Sequence, residues 1–359
     1  MSDHQATETV SATPIRVASS PFDDPDGDLI LRTSDKVDFR VHGAVLRLSS
    51  SVFAAMISLP QPPSRVDDKV QPADNVIDVT DDSTVLYQLL SWVDPRGTLQ
   101  LRDLQDAAAI LTCAEKYDML MVKRRVMEFG YSGRESLKEN PIALFALARR
   151  FGHLEMADFA AKESLRIAIM DWPDSPLLDL ITARDHQALV RYYFHCQRVA
   201  KSVLKDWIQW SGTRDYIWKA TWSLHHCTFK NYEGNNYPEW WVHYLEAIGR
   251  ALWETPSPHV VFLIDIISVT APACVCGKCR PKYVSDVQSF NELLVKRLDE
   301  TLPKYVFLEL YLRLIHPILI LQVVHMDVQG QSVASDLLLD APECILTFFL
   351  VNGLINRHK

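Results

Sequence analysis

Three thiols within six residues, Cys274-Val275-Cys276-Gly277-Lys278-Cys279, are the densest set of reactive side chains in the chain. Cys276 and Cys279 have the C-x-x-C spacing that lets two sulfurs reach one tetrahedral ion, each about 2.3 Å from it. Zinc takes four ligands, so a second pair must come from elsewhere. The nearest cluster of imidazole and thiol is His225-His226-Cys227, upstream in the same Trp-rich stretch. His225, Cys227, Cys274, Cys276 and Cys279 are therefore the expected metal ligands, with Cys274 a spare or alternative, and a structural zinc is the one cofactor expected. Surface thiols or a redox-labile pair are the competing account, because one C-x-x-C without a matched second knuckle is a moderate signal. A thioredoxin-like role lacks the surrounding βαβ pattern.

Catalysis finds less support. A nucleophile, base and orienter could come only from His225, His226, Cys227 and Asp265, and nothing in their spacing makes them converge. The chain has no Gly-x-Ser-x-Gly elbow, phosphate-binding Gly-Lys-Ser/Thr loop, His-Glu-x-x-His or dinucleotide fingerprint, and only 12 glycines to build phosphate cradles. Asp23-Asp24-Pro25-Asp26-Gly27-Asp28 imitates a calcium loop. With Gly27 at position 6, however, Phe22 and Thr33 stand where carboxylates are required. No catalytic residue is expected, and the chain reads as non-enzymatic.

The elements that would position these residues begin with a strand, turn, strand and helix run. Leu29-Ile30-Leu31 is a short apolar run, Ser34-Asp35-Lys36 a turn, and Val37, Phe39 and Val41 alternate with polar residues. Two short helices follow, carrying Val45, Leu46 and Leu48, then Val52, Phe53 and Met56. Val76, Ile77 and Val79 give a third strand, and Val85, Leu86, Leu89, Leu90 and Val93 an amphipathic helix. Leu104 to Tyr117 and Leu120 to Phe129 carry two more helical stripes.

This run resembles the BTB/POZ domain through Asp35, Phe39, His42, Leu46, Ser49 and Phe53, with Cys113-Ala114-Glu115-Lys116-Tyr117 standing where that family has its Ala-x-x-Tyr helix. The resemblance places the domain at residues 26–131 and implies an α+β BTB/POZ fold, a small sheet with helices, in which His42 is a buried structural histidine. A mainly α-helical extension is expected at 140–206. Its stretch Pro141 to Lys162, with Ala-Arg-Arg-Phe-Gly and then Ala-Ala-Lys, resembles the extension of a large group of fungal, basidiomycete-type BTB proteins and, more loosely, the BACK segment of cullin adaptors.

A Trp-rich, Cys/His-containing helical segment is expected at 207–305, where seven of the nine tryptophans lie between Trp207 and Trp253. Such density reads as a core built from a few large rings. A stacking platform for single-stranded nucleic acid would need cations beside the rings, yet residues 201–300 hold 11 Lys and Arg against 11 Asp and Glu. The net charge of −8 likewise argues against nucleic acid or an anionic membrane as partner. Residues 1–25 read as a disordered tail that is neither signal nor transit peptide. With seven cysteines this suggests a reducing compartment, cytoplasmic or nuclear. Residues 306–359 form an apolar tail of uncertain status. Its run from Val306 to Val324 approaches membrane-span length, but Glu309, Arg313, His316 and Pro317 interrupt it, and each central charge costs roughly 2.5–3.5 kcal/mol. In the fungal proteins resembled, the shared architecture stops near a run like Leu308-Glu309-Leu310, so the residues beyond look like an added extension.

The resemblance implies a protein-protein interaction module, an adaptor or scaffold for a cullin-based ubiquitin ligase, with a cullin or a second BTB chain as partner. Apolar patches on the helices around Leu46 to Leu59 and Leu111 to Leu120 would dock the partner. The chain departs from the adaptor pattern in two places: no amphipathic helix precedes Asp28, and the Pro60 to Asn75 loop has no apolar-x-Glu cullin-contact motif. The alternative is a zinc-stabilised nuclear regulatory protein. Its targeting run would have to be Lys123-Arg124-Arg125, which is short and lies within a predicted helix.

Overall fold

A computed structural model of the chain describes residues 14–59, 75–131, 140–211, 228–273, 276–277 and 279–305. Four strands, β1 (Arg16–Val17), β2 (Leu29–Arg32), β3 (Val37–Val41) and β4 (Val76–Asp78), form one sheet in the order β1-β3-β2-β4. β2 is a central strand, antiparallel to β3 and parallel to β4. That position explains its consecutive buried residues Leu29, Ile30 and Leu31, since alternation is lost when both faces of a strand are covered. β3 keeps its period of two: Val37, Phe39 and Val41 are buried while Asp38 and Arg40 are half-buried. Arg32 opposes Asp38 across the hairpin and donates two hydrogen bonds to its carboxylate, at 2.7 and 2.9 Å. The turn places Lys36 at φ 61°, in the left-handed region.

Order begins earlier than the disordered tail expected at 1–25. β1 runs parallel to β3 at the sheet edge, with Arg16 N–H donating to the Lys36 carbonyl and Ala18 N–H to the Asp38 carbonyl, both at 2.9 Å. Phe22 is fully buried, edge-on to Tyr87 and 5.8 Å from Phe39. For residues 14–25 the composition argument failed because it weighs a segment's own apolar content; residues 1–13 lie outside the described residues. Here one ring and a few backbone bonds to an existing sheet edge supply the order.

Helices α1 (Gly43–Ser49), α2 (Ser51–Ser58), α3 (Ser83–Ser91), α4 (Leu104–Lys116) and α5 (Leu120–Tyr131) complete this half. Asp82 caps α3 by accepting from Thr84 and Val85 N–H, and Asp103 caps α4 by accepting from Gln105 and Asp106 N–H. Asp118, at φ 51°, turns the chain between α4 and α5.

α6 (Pro141–Arg150) starts with Pro at its first turn and Asn140 as its cap. Every residue from Pro141 to Ala148 is buried, so this helix is surrounded rather than laid on a surface. Gly152, at φ 74°, ends the turn before α7 (Leu154–Ser164). α8 (Ala183–Lys205) opens with a capping box between Thr182 and Asp185. Arg150 of α6 reaches back to Glu115 of α4 at 2.7 Å, tying the helical extension to the first half.

Beyond α8 come α9 (Trp207–Trp210), a hairpin of β5 (Phe229–Tyr232) and β6 (Asn235–Pro238), α10 (Glu239–Glu254), α11 (Ile266–Thr270) and α12 (Tyr283–Thr301). The hairpin is an element that the helical expectation for 207–305 did not include. Its two-residue turn, Glu233 at φ 51° and Gly234 at φ 85°, has the positive angles that match strand twist. The core here is built from rings, as the tryptophan density suggests. Trp241 meets Phe290 edge-on at 4.8 Å and Trp207 at 5.4 Å, and Trp210 stacks on Phe290 at 5.5 Å. The buried Tyr244 hydroxyl donates to Asn291 Oδ1 at 2.5 Å. Among the described residues no helix is long and apolar enough to cross a membrane, and Val306 to Val324 lies outside them.

Candidate protein-interaction site

The junction of α1 and α2 is held by one hydroxyl. Ser50 Oγ accepts from Phe53 N–H at 3.0 Å, capping α2, and donates to the Tyr117 carbonyl at the end of α4 at 2.5 Å. Beside it, Ser51 Oγ donates to Asp118 Oδ2 at 2.5 Å, and the Phe53 ring stacks on Tyr117 at 4.3 Å. The start of α2 is thereby tied to the corner between α4 and α5.

Around these ties lie large apolar side chains that the fold does not cover. Leu48 on α1 is 91% exposed, and Leu120 at the start of α5 is 72% exposed. Leu59, just past α2, and Met121 are exposed as well. Leu46, Phe53 and Leu111, which the docking expectation places among the contact residues, are core instead. The large apolar side chains left exposed on or next to these helices are instead Leu48, Leu59, Leu120 and Met121.

The signature residues divide into core and staples. Phe39, Leu46 and Phe53 are buried. Asp35 is a hydrogen-bond hub, accepting from Thr33 Oγ1 at 2.6 Å, from Ser83 N–H at 2.9 Å and from Ser83 Oγ at 2.7 Å, so it fastens the β2–β3 turn to the start of α3. The Thr33 hydroxyl first, then the Ser83 donors, hold its carboxyl below the usual carboxylate range. Ser49 donates to the Val45 carbonyl of its own helix at 2.7 Å, so the connecting hydroxyl is that of Ser50. His42, expected to be buried, has a side chain 38% exposed and stands 3.6 Å from Asp24. It precedes α1 without a side-chain cap bond, and the Gly43 N–H at the helix start donates to Asp28 Oδ1 at 2.6 Å.

Beneath the α4 corner, burial pushes the Asp81 carboxyl up. The Lys116 ammonium at 2.6 Å and the Tyr117 hydroxyl at 2.5 Å outweigh it, leaving Asp81 below its ordinary value. Burial, with Asp81 alongside, raises the Cys113 thiol to about 12, so this sulfur is an inert core group.

Cys276 and Cys279 are buried against the ring core, which excludes the surface-thiol account for these two. They share a tight turn in which Cys279 N–H and Arg280 N–H both donate to the Cys276 carbonyl, at 3.1 and 3.0 Å. His225, His226, Cys227 and Cys274 lie outside the described residues. Among the described residues no group of three His, Cys, Asp or Glu side chains could hold a metal. Asp265 is engaged as the cap of α11, accepting from Ile267 and Ser268 N–H at 3.0 and 3.2 Å.

Residues 26–132 match the BTB/POZ domain model, somewhat under a third of the chain. The fold there is that of a BTB/POZ domain, an α+β unit of small sheet and helices, followed by a mainly helical region. The BTB/POZ domain is a protein-protein interaction module. No curated protein matches the chain.

Proposed function

We propose that this chain is a non-enzymatic adaptor whose BTB/POZ portion docks a cullin through Leu48, Leu59, Leu120 and Met121, bringing whatever the ring-cored portion binds to a ubiquitin ligase in the cytoplasm or nucleus. The observation that carries the reading is the set of exposed aliphatic side chains flanking a corner held by Ser50, Ser51 and Phe53. A rigid corner with apolar side chains at its edge loses little entropy on docking a partner helix. The Glu115–Arg150 pair supports the same reading, since it ties the docking half to the extension. We assign residues 140–206 to the BACK-like extension of the fungal group on the resemblance carried by Pro141 to Lys162.

The test is calorimetry of the full chain against a cullin amino-terminal domain, with light scattering on the chain alone. Micromolar binding that falls about tenfold or more in Leu48→Asp and Leu120→Asp supports the adaptor. Binding unaffected by both overturns the assignment of the surface. A dimer dissociated by the same substitutions identifies a second copy as the partner instead.

A second reading rests on the buried Cys276–Cys279 turn: a structural zinc completed by two of Cys274, His225 and Cys227, in a zinc-stabilised nuclear regulator. Metal analysis of the purified chain tests it. One zinc per chain, lost in Cys276→Ser together with thermal stability, supports the site. A metal-free chain of unchanged stability removes it.

A further inference from the structure

Away from the BTB portion, α8, α10 and the β5–β6 turn bound a groove of about 420 Å³. Its floor is made by Leu204 and Leu252, both buried, and one wall is Trp253, which is 55% exposed at the end of α10. The ring is held in place from behind: the Trp253 carbonyl accepts from Gln197 Nε2, and the next carbonyl, that of Glu254, from the Tyr193 hydroxyl. A large indole fixed by its backbone and left open to solvent is a surface ready for an apolar side chain.

The charges at the rim are not all matched. Lys205 faces Glu233 at 3.7 Å, and Lys230 pairs with Glu246 at 2.8 Å. Lys201 and Arg250 have no ion-pair partner among the described residues; the Lys201 ammonium stands over the Trp253 ring, 5.9 Å from its centre. The lining holds three cations, Lys201, Lys205 and Arg250, and three carboxylates, Glu233, Glu246 and Glu254. Because Glu246 is paired by Lys230 from beside the groove, Lys201 and Arg250 are left against Glu254 alone, one positive charge in excess in a chain whose net charge is −8. Phe194, Gln197, Lys201 and Lys205 follow one another at helical spacing on one face of α8, and Phe194 is exposed there. The face thus offers an apolar group at one end and cations farther along.

We propose that this groove binds an acidic amphipathic peptide segment of a partner protein. A bulky apolar side chain of the peptide packs on Leu204, Leu252 and the Trp253 ring, and flanking carboxylates pair with Lys201 and Arg250. The site is separate from the BTB corner, so it stands or falls independently of cullin binding.

Fluorescence anisotropy of the full chain with a labelled peptide of alternating Glu and Leu pairs, about 12 residues and so about 18 Å as a helix, provides the test. A Lys/Leu peptide of the same pattern serves as the opposite-charge probe. The expected result is salt-sensitive binding of the Glu/Leu peptide only, weakened about tenfold or more in the double variant Lys201→Glu, Arg250→Glu and in Trp253→Ala. The control is Lys296→Glu, Lys304→Glu, which changes the net charge equally at exposed positions outside the groove and should leave binding nearly intact. No binding of the Glu/Leu peptide, equal binding of the two peptides, or equal loss in the control variant overturns the proposal.

Discussion

Ser50 and Ser49 are neighbours with the same side chain, and the structure assigns them opposite consequences. Ser50→Ala removes the α2 cap, worth about 0.5–2 kcal/mol. It also leaves the buried Tyr117 carbonyl without its 2.5 Å donor, a penalty of about 1–3 kcal/mol. One hydroxyl makes both bonds, so the two losses overlap rather than add fully, and the expected destabilisation is about 1–4 kcal/mol. Ser49→Ala deletes only a bond to the preceding turn of its own helix, and Ala is the better helix former, so the expected change is within about 0.5 kcal/mol of zero. Urea denaturation of both variants gives the global difference, and hydrogen exchange of the amides in α2 shows whether the loss is centred at the corner. Ser50→Thr, which retains a hydroxyl, separates lost bonds from altered volume. If Ser49→Ala costs as much as Ser50→Ala, the corner is not held as described, and the docking surface built on it loses its rigid support.

Phe290→Ala should cost about 3–5 kcal/mol in thermal unfolding, with loss of the near-ultraviolet tryptophan signal, because the ring is buried against Trp207, Trp210 and Trp241; a cost below about 1 kcal/mol would mean the core closes without it. Asp35 has a folded-state pKa below its ordinary 3.8, so its hydrogen bonds stabilise the fold above that value and are lost as pH falls through the lower folded value. An acid titration followed by circular dichroism should therefore show a flatter acid limb in Asp35→Asn, and superimposable curves would refute the assignment. Glu115→Ala, Arg150→Ala and the double variant should give a coupling of about 0.2–1 kcal/mol, since the pair is partly exposed; no measurable coupling would remove this pair as the tie between the two halves.

The elements of the BTB portion were legible because their information is local. Alternation at Val37, Phe39 and Val41 specifies a half-buried strand wherever the strand ends up, and the stripe from Leu104 to Ala114 specifies a helix face. The tryptophan-dense stretch announced a ring-built core by composition alone. Tertiary structure alone decided which of two adjacent serines connects the helices, because the choice depends on a carbonyl 67 residues away. It also decided that Phe22 is core: a lone ring in a polar segment carries no periodicity, and its burial follows from the sheet edge beside it. The β5–β6 hairpin had a turn signal in Glu233-Gly234, but Phe229, Tyr232 and Tyr237 are only half-buried and give no clean alternation. The groove beside Trp253 had no signal at all, since Leu204, Leu252, Lys201 and Arg250 become one surface only when two helices pack. Residue type and near spacing determine what a segment can be; which distant groups meet, and which apolar side chains are left uncovered, is set by packing.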